Sequence, residues 1–166
     1  MESATIDLLV SRQELVPMAL KSRLLVVEDF VMMQRRQHPR GLRPPSLAEF
    51  CELGHVVTPG PGGIPSFVDR ALAEIGCERR IAVESSDHAL TMSIVAATDY
   101  VAITPAHLVQ NQLDRFATFA IPFALAPVQL CASWHPRWQF DPAAVWLREQ
   151  LSGAAAVWNA PALAAA

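Results

Sequence analysis

Residues 80–104 alternate strand and helix with very short connections, and this alternation is the strongest constraint on the fold. The segment predicts a strand from Arg80 to Glu84, a helix from Asp87 to Ala97 and a strand from Tyr100 to Thr104. Strands that alternate with helices in this way indicate an α/β organisation with largely parallel strands and right-handed connections.

Apolar runs earlier in the chain predict further strands. The run from Thr5 to Val10 ends at Ser11 and fits a buried strand with a polar carboxyl end. Residues 23–35 fit two strands around Glu28-Asp29, followed by a proline-rich break. Ser11 is therefore a candidate for the edge of a site.

Two helices and a short strand follow. Ser46 and Glu49 have the spacing of a capping box, which predicts a short helix. The strand "HVVT" and a glycine-rich stretch come next. A second helix, with apolar residues at helical spacing over 67–75, ends at Gly76, a residue typical of the position after a helix.

The last third of the chain predicts two strands and a helix. The strands are "FATFAIPF" and "PVQLCASWHP". In "DPAAVWLREQL", Asp141 can cap a helix that has Pro142 at its first position. Its predicted apolar face comprises Val145, Trp146 and Leu151. The alanine-rich tail, residues 152–166, has no clear packing pattern and is left unassigned or frayed.

Composition narrows the functional classes. The 166 residues are 52% hydrophobic, enough for a substantial core, and the net charge of -3 does not favour sequence-independent nucleic-acid binding. The three cysteines are widely spaced, which is typical of reduced thiols in a cytoplasmic protein. We find no signal peptide and no apolar window of the roughly 20 residues that a membrane span requires.

Polar residues follow several predicted strands at the ends where ligands bind in open α/β sheets. Glycines let the backbone approach a ligand, and hydroxyls and free amides at helix starts can hydrogen-bond to it. Local structure alone can also explain each of these residues. The glycines can form a turn, and the hydroxyl residues can cap or begin a helix. The candidate ligand-binding residues are Ser11, Thr58, Gly60, Gly62, Gly63, Ser85, Ser86 and Thr104.

The sequence does not favour catalysis. Ser86, Asp87 and His88 are consecutive, so they cannot point at one another as nucleophile, base and orienting group must. The nucleophile-elbow and Walker phosphate-loop patterns are absent, and no histidine pair has metal-ligand spacing. We therefore expect no enzymatic activity, no metal and no cofactor.

Two stretches carry a family resemblance. Residues 67–108, "FVDRALAEIGCERRIAVESSDHALTMSIVAATDYVAITPAHL", and 119–151, "FAIPFALAPVQLCASWHPRWQFDPAAVWLREQL", resemble the effector-binding domain of LysR-type transcriptional regulators. Upstream, "IDLLVS" and "DFVMMQRRQHPRG" are similar to two strands of that domain. The resemblance covers roughly residues 5–151 as an ordered series.

The resemblance implies a periplasmic-binding-protein type 2 fold, an α/β fold of two lobes with a cleft. The first lobe would comprise about residues 5–56 and 106–151, and the second about 57–105. In that arrangement Thr58, Ser85, Ser86 and the Gly62-Gly63 amides would face the cleft from one lobe. Ser11 and Thr104 would lie near the first-lobe wall and the hinge.

The resemblance also implies the partners. The expected ligand is a small-molecule effector that is aromatic or carboxylated, and the family commonly forms homo-oligomers through this domain. The winged helix-turn-helix that binds DNA, and the first units of the effector domain, are absent from this sequence. We therefore expect an incomplete first lobe and no DNA binding by this chain. A solute-binding protein of the same fold, a small α/β enzyme and a non-catalytic remnant remain alternatives.

Overall fold

The computed structural model describes residues 6–58 and 66–158, which form a mixed α/β protein. The strands are β1 (Leu9–Arg12), β2 (Lys21–Glu28), β3 (Phe30–Arg35), β4 (Gly54–Val57), β5 (Arg80–Glu84), β6 (Ala102–Pro105), β7 (Phe116–Phe119) and β8 (Val128–Trp134). The helices are α1 (Leu47–Glu52), α2 (Phe67–Glu74), α3 (His88–Ala97), α4 (Ala106–Val109) and α5 (Pro142–Trp158).

The chain divides into two compact units. We call residues 30–126 the central unit, and residues 1–29 with 127–166 the terminal unit. The predicted lobe boundaries differ from this division, because residues 30–56 and 106–126 group with the predicted second lobe. The reason is strand pairing, since β3 pairs with both β6 and β7 and so belongs to their sheet.

The central unit is organised around short strands with helices on both faces. β4 and β5 are parallel, and Val101, just before β6, forms a parallel bridge with His55 of β4. On β3, Met32 and Met33 point to opposite faces because side chains alternate along a strand. Met33 lies in one buried cluster and Met32 in another.

Each of these clusters is built by different helices. The first includes Val95 of α3 and Val109 of α4. The second includes Phe50 of α1 and Leu72 of α2. The central unit is therefore a three-layer arrangement, in which helices cover both faces of the strands.

The terminal unit is a three-stranded antiparallel sheet, in the order β1-β8-β2, with α5 packed against it. The Arg148 guanidinium of α5 lies 4.4 Å from the centre of the Trp134 ring of β8. Near the end of α5, Trp158 donates a hydrogen bond of 2.8 Å from Nε1 to Glu28 of β2. One helix thus covers the sheet along most of its own length.

Several local predictions are confirmed. Ser46 accepts a hydrogen bond from the Glu49 amide at the start of α1, as the capping-box spacing predicts. Asp141 accepts from the Ala144 amide and caps α5. β5 has the predicted bounds, and Gly76, with a φ of 69°, follows Ile75, the C-cap of α2.

The expectation of largely parallel strands is wrong. β4 with β5 and the bridge at Val101 are parallel, whereas the other described pairs, β1 with β8, β2 with β8, β3 with β6 and β3 with β7, are antiparallel. Alternation of strand and helix enforces parallel neighbours only where a helix returns the chain to the same edge. That condition holds for residues 54–105 and not for the strands outside this segment.

Three further details differ from the sequence predictions. The first strand is only partly buried, and Val10 within it is exposed. On α5, Trp146 is 61% exposed, whereas the neighbouring Arg148 is buried against Trp134. The tail predicted to be unassigned continues α5 as far as Trp158, because alanine favours helix and Trp158 is bonded to the sheet. Residues 159–166 lie outside the described part.

Candidate ligand-binding site

Three hydroxyl side chains of the central unit meet at the ends of β4 and β5. Thr58 Oγ1 lies 3.2 Å from Ser85 Oγ and 3.1 Å from Thr91 Oγ1, and Ser85 Oγ lies 2.6 Å from Thr91 Oγ1. We call these three residues the hydroxyl cluster. Ser85 and Thr91 are 4% and 2% exposed, whereas Thr58 is half-buried.

Strand register brings Thr58 and Ser85 together. Val57 and Glu84 are partners in the parallel pair, so the next residue of each strand emerges at the same edge. The Ser85 amide continues the ladder with a 2.8 Å hydrogen bond to the Val57 carbonyl. Because ligands bind at the carboxyl ends of parallel strands in α/β sheets, this edge is the expected place for a site.

Thr91 enters the cluster from the first turn of α3. Its hydroxyl donates a hydrogen bond of 3.1 Å to the Asp87 carbonyl, four residues back in the chain. The Ser85 hydroxyl lies 3.3 Å from the same carbonyl. The helix start and the two strand ends therefore share one polar network.

The hydroxyl cluster offers groups that can bind a ligand. Each hydroxyl supplies one proton and accepts through its oxygen, and the protons can rotate to suit a ligand. In the described structure, the hydrogen bonds of Thr58 and Ser85 join hydroxyls to one another and to carbonyls. Thr58 is the member that solvent reaches, so it can donate to a ligand while the buried pair holds it in place.

Asp87 acts as a helix cap. Its Oδ1 accepts a 2.9 Å hydrogen bond from the Leu90 amide, and its Oδ2 accepts one of the same length from the Ser86 hydroxyl. The Leu90 amide is the main cause that holds the pKa of Asp87 below its ordinary value, and Ser86 adds to it. Both carboxylate oxygens of Asp87 are thus engaged at the start of α3.

The other predicted site residues are placed as follows. Ser86 is exposed and engaged with Asp87, outside the hydroxyl cluster. Thr104 is 1% exposed within β6, opposite Val31 of β3, and its hydroxyl has no hydrogen-bond partner in the described structure. Ser11 lies in β1 of the terminal unit, where its hydroxyl is 3.4 Å from the Arg12 carbonyl.

The predicted glycines lie outside the described residues. Gly60, Gly62 and Gly63 fall in the segment 59–65, which begins directly after Thr58. Thr58 and Ser85 are thus the two predicted residues that the structure brings together. Thr91 was missed, although a threonine in the first turn of an otherwise apolar helix, four residues after a capping aspartate, was a usable signal.

The described residues, 6–58 and 66–158, contain no group of three or more histidine, cysteine, aspartate or glutamate side chains that could hold a metal ion. Within the same ranges, no helix has both the length and the apolar character needed to cross a membrane.

Comparison with known proteins gives a family match. The sequence model of one protein family, the LysR substrate binding domain, matches residues 1–156 of this chain. The HTH-type transcriptional activator NahR of Pseudomonas putida is 28% identical over 151 residues, which cover 90% of this chain and 50% of NahR. The HTH-type transcriptional activator NagR of Ralstonia sp. is 28% identical over 155 residues, with the same coverage. The chain spans about half the length of these curated relatives.

Solved structures give the same fold. A probable transcriptional regulator from Pseudomonas aeruginosa superimposes with a TM-score of 0.77 at 27% identity, covering 92% of this chain and 51% of that one. The regulatory domain of MexT, a transcriptional activator in the same organism, gives a TM-score of 0.76 at 21% identity. That match covers 92% of this chain and 74% of the MexT domain.

Proposed function

Because the chain belongs to the LysR substrate binding domain family, we propose that it senses a small-molecule effector, which it binds through the hydroxyl cluster without chemistry of its own. The observation that carries this proposal is the convergence of Thr58, Ser85 and Thr91 at the carboxyl ends of two parallel strands. Among the described residues, the three hydroxyls bond to one another and to backbone carbonyls, and no group that could hold a metal ion is present, which supports binding over catalysis.

The chemistry of the hydroxyl cluster supports an effector that carries a carboxylate. Hydroxyl donors bond more strongly to a charged oxygen than to a neutral one. Thr58 is the half-buried member, so its proton can turn to a ligand, while Ser85 donates to Thr91 at 2.6 Å and Thr91 donates to the Asp87 carbonyl. Asp87 is occupied by the Leu90 amide and the Ser86 hydroxyl, so its charge is held at the cap. An aromatic body for the effector is proposed from the family resemblance.

Two further predicted binding residues of the central unit are part of the proposal. Ser86 and Thr104 are proposed to contact the effector from outside the hydroxyl cluster. Ser11, in the terminal unit, and the glycines at 60, 62 and 63, outside the described residues, stay predictions. Thr104 is the stronger of the two hydroxyl candidates, because its buried oxygen has no hydrogen-bond partner among the described residues, an arrangement that costs free energy.

The role of the whole regulator is also proposed. The relatives NahR and NagR are named HTH-type transcriptional activators, and this chain spans half of each. We infer that the chain supplies effector sensing in the cytoplasm, as a homo-oligomer, and that DNA binding depends on a helix-turn-helix domain outside it.

The test is isothermal titration with a matched pair of ligands. Benzoate and benzamide share shape, and benzoate alone carries the carboxylate. We expect tighter binding of benzoate, and we expect Thr58→Val, which removes the hydroxyl but keeps the shape, to weaken it by about tenfold to a hundredfold. Thr58→Ser, which keeps the hydroxyl, should restore most of the affinity.

Ser93→Ala is the matched control, because Ser93 is exposed on α3, outside the hydroxyl cluster, and its hydroxyl bonds to the Ala89 carbonyl. It should leave the affinity for benzoate within about twofold of the parent protein. Equal loss of affinity in Ser93→Ala and Thr58→Val would contradict the placement of the site. Absence of heat from folded protein, across a panel of aromatic and aliphatic carboxylates, would contradict effector sensing.

A further inference from the structure

Two arginines lie opposite each other across an antiparallel strand pair of the central unit. β3 and β7 pair in a register that sets Arg35 opposite Phe116. Directly beyond this pair, the Arg36 amide donates a 2.9 Å hydrogen bond to the Arg115 carbonyl. Side chains that lie opposite each other in an antiparallel pair share one face of the sheet. We call Arg36 and Arg115, which are both exposed, the arginine pair.

One turn holds both guanidinium groups of the arginine pair. The turn comprises residues 112–115 and is closed by a 3.0 Å hydrogen bond from the Arg115 amide to the Gln112 carbonyl. Arg36 donates from Nη1 to the Leu113 carbonyl at 2.9 Å. Arg115 donates from Nη1 to Oε1 of Gln112 at 3.1 Å. Because the two acceptors belong to neighbouring residues, the turn brings both positive groups to one place.

No carboxylate balances the arginine pair in the described part of the chain. Its neighbour Arg35 forms an ion pair of 2.6 Å with Asp99, whereas neither Arg36 nor Arg115 forms an ion pair there, and Asp114 of the same turn is bound to neither. The two oxygens that hold the pair are neutral, and each guanidinium keeps further N–H donors. Because like charges that lie opposite each other destabilise a sheet, an anion at this place would stabilise it.

We propose that the arginine pair binds a phosphate dianion, as inorganic phosphate or as the phosphate group of a monoester. A guanidinium is a planar fork of donors that matches the oxygens of phosphate, and such charge-assisted hydrogen bonds are about twice as strong as neutral ones. A tetrahedral dianion has enough oxygens to accept from both forks, and its charge balances both arginines. A carboxylate has fewer oxygens and a single charge, so it should bind here more weakly.

The arginine pair lies at the opposite edge of the sheet from the hydroxyl cluster. β3 is antiparallel to β6, with Met33 opposite Ala102, so the end of β3 lies beside the beginning of β6. The hydroxyl cluster lies at the carboxyl ends of β4 and β5, and β4 runs parallel to the chain at Val101, just before β6. The proposed anion site is therefore separate from the candidate effector site and does not depend on the proposed function.

The test is an NMR titration of the parent protein that follows the Nε–H signals of its arginine side chains. The probes are inorganic phosphate, phenyl phosphate and benzoate, at mildly alkaline pH and with the ionic strength held constant by sodium chloride. We expect saturable shifts of the Arg36 and Arg115 signals with both phosphates, and smaller shifts with benzoate. Saturation by phenyl phosphate alone would identify a monoester as the ligand.

Matched variants separate a defined site from general attraction to positive charge. Arg36→Gln and Arg115→Gln should each lower the affinity for phosphate by about tenfold to a hundredfold, because a charge-assisted contact is lost. The control is Arg43→Gln, which removes an exposed arginine that is paired with Glu49, and it should change the affinity by about twofold or less. Equal losses in all three variants would overturn the proposal, as would the absence of saturable shifts in the parent protein.

A second measurement tests the charge repulsion without any ligand. Arg115→Glu and Arg115→Gln both lose the contact with the Phe116 ring, where the Arg115 guanidinium lies 5.3 Å from the ring centre. Their difference therefore reports the charge that faces Arg36. In buffer without phosphate, Arg115→Glu should unfold at a higher urea concentration than Arg115→Gln. The reverse order would overturn the account of the arginine pair as two unbalanced charges.

Discussion

The central and terminal units bury their apolar side chains to different degrees. The largest fully buried side chains of the described residues all lie in the central unit, among them Phe50, Phe116 and Leu72. In the terminal unit, Phe140 and Trp146 are large, apolar and exposed. Because buried apolar area is the main source of stability, the central unit should have the larger free energy of unfolding.

The chain carries built-in probes for this comparison. Its four tryptophans, at positions 134, 138, 146 and 158, all belong to the terminal unit. Its single tyrosine, Tyr100, belongs to the central unit. Tryptophan fluorescence and tyrosine second-derivative absorbance therefore report the two units separately during denaturation. We expect the tryptophan transition at the lower denaturant concentration.

The largest expected effect is that of Phe50→Ala. Phe50 is fully buried in the second cluster of the central unit. Its truncation should lower the free energy of unfolding by about 3–5 kcal/mol, through lost burial and the cavity left behind. The tyrosine signal should shift more than the tryptophan signals. The matched control, Trp146→Ala, removes an exposed aromatic ring and should change stability by about 0.5 kcal/mol or less.

Equal shifts of both signals in Phe50→Ala would contradict the comparison, because they would mean that the two units unfold as one. A large loss of stability in Trp146→Ala would also contradict the comparison. Such a loss would show that the exposed ring of the terminal unit is buried by a partner in solution.

The next effect is acid destabilisation through His55. His55 is fully buried in the central unit, and its Nε2 forms a 2.8 Å hydrogen bond with the Phe50 carbonyl. Burial lowers the pKa of His55 to about 4, against about 6.5 when unfolded. The unfolded state therefore binds more protons between these two values, so stability falls as pH falls from about 6.5 to about 4. The accumulated loss should be about 3 kcal/mol.

The measurement is urea denaturation as a function of pH, followed by the tyrosine signal. His55→Asn should flatten the dependence over this interval. Because that variant removes a buried hydrogen bond, an NMR titration of the His55 ring in the parent protein gives a second, direct reading. A midpoint near 6.5 in the folded state would contradict this account.

The smallest effect is expected at the cap of α5 in the terminal unit. Asp141 accepts a 2.9 Å hydrogen bond from the Ala144 amide. Asp141→Ala should cost about 1 kcal/mol, and Asp141→Asn, which can still cap, should cost less. Tryptophan fluorescence should detect the change, with little movement of the tyrosine signal. The same cost in both variants would show that the charge, and not the cap, stabilises the helix start.

Local signals in the sequence predicted much of this fold. Ser46 and Asp141 were identified as helix caps because capping depends on residues within one turn. The family resemblance predicted the fold class, which the comparisons confirm. The parallel arrangement was predicted wrongly, because strand pairing of β3 with β6 and β7 joins residues that are far apart in the chain.

The candidate site was predicted in part for the same reason. Thr58 and Ser85 were identified because each follows a strand, a property that can be read locally. Thr91 was missed because it joins them only once α3 packs beside β4 and β5. Trp146 was predicted to face the core because it is apolar, whereas helix geometry gives the inward position to Arg148, which stacks on Trp134.

The most direct test of the central claim is an NMR titration of the isotope-labelled protein with benzoate. The account predicts that the saturable shifts include the amides of Thr58, Ser85 and Thr91, and that these shifts disappear in Thr58→Val and return in Thr58→Ser. Saturable shifts at other residues, with those three amides unmoved, would contradict the assignment of the hydroxyl cluster as the effector site.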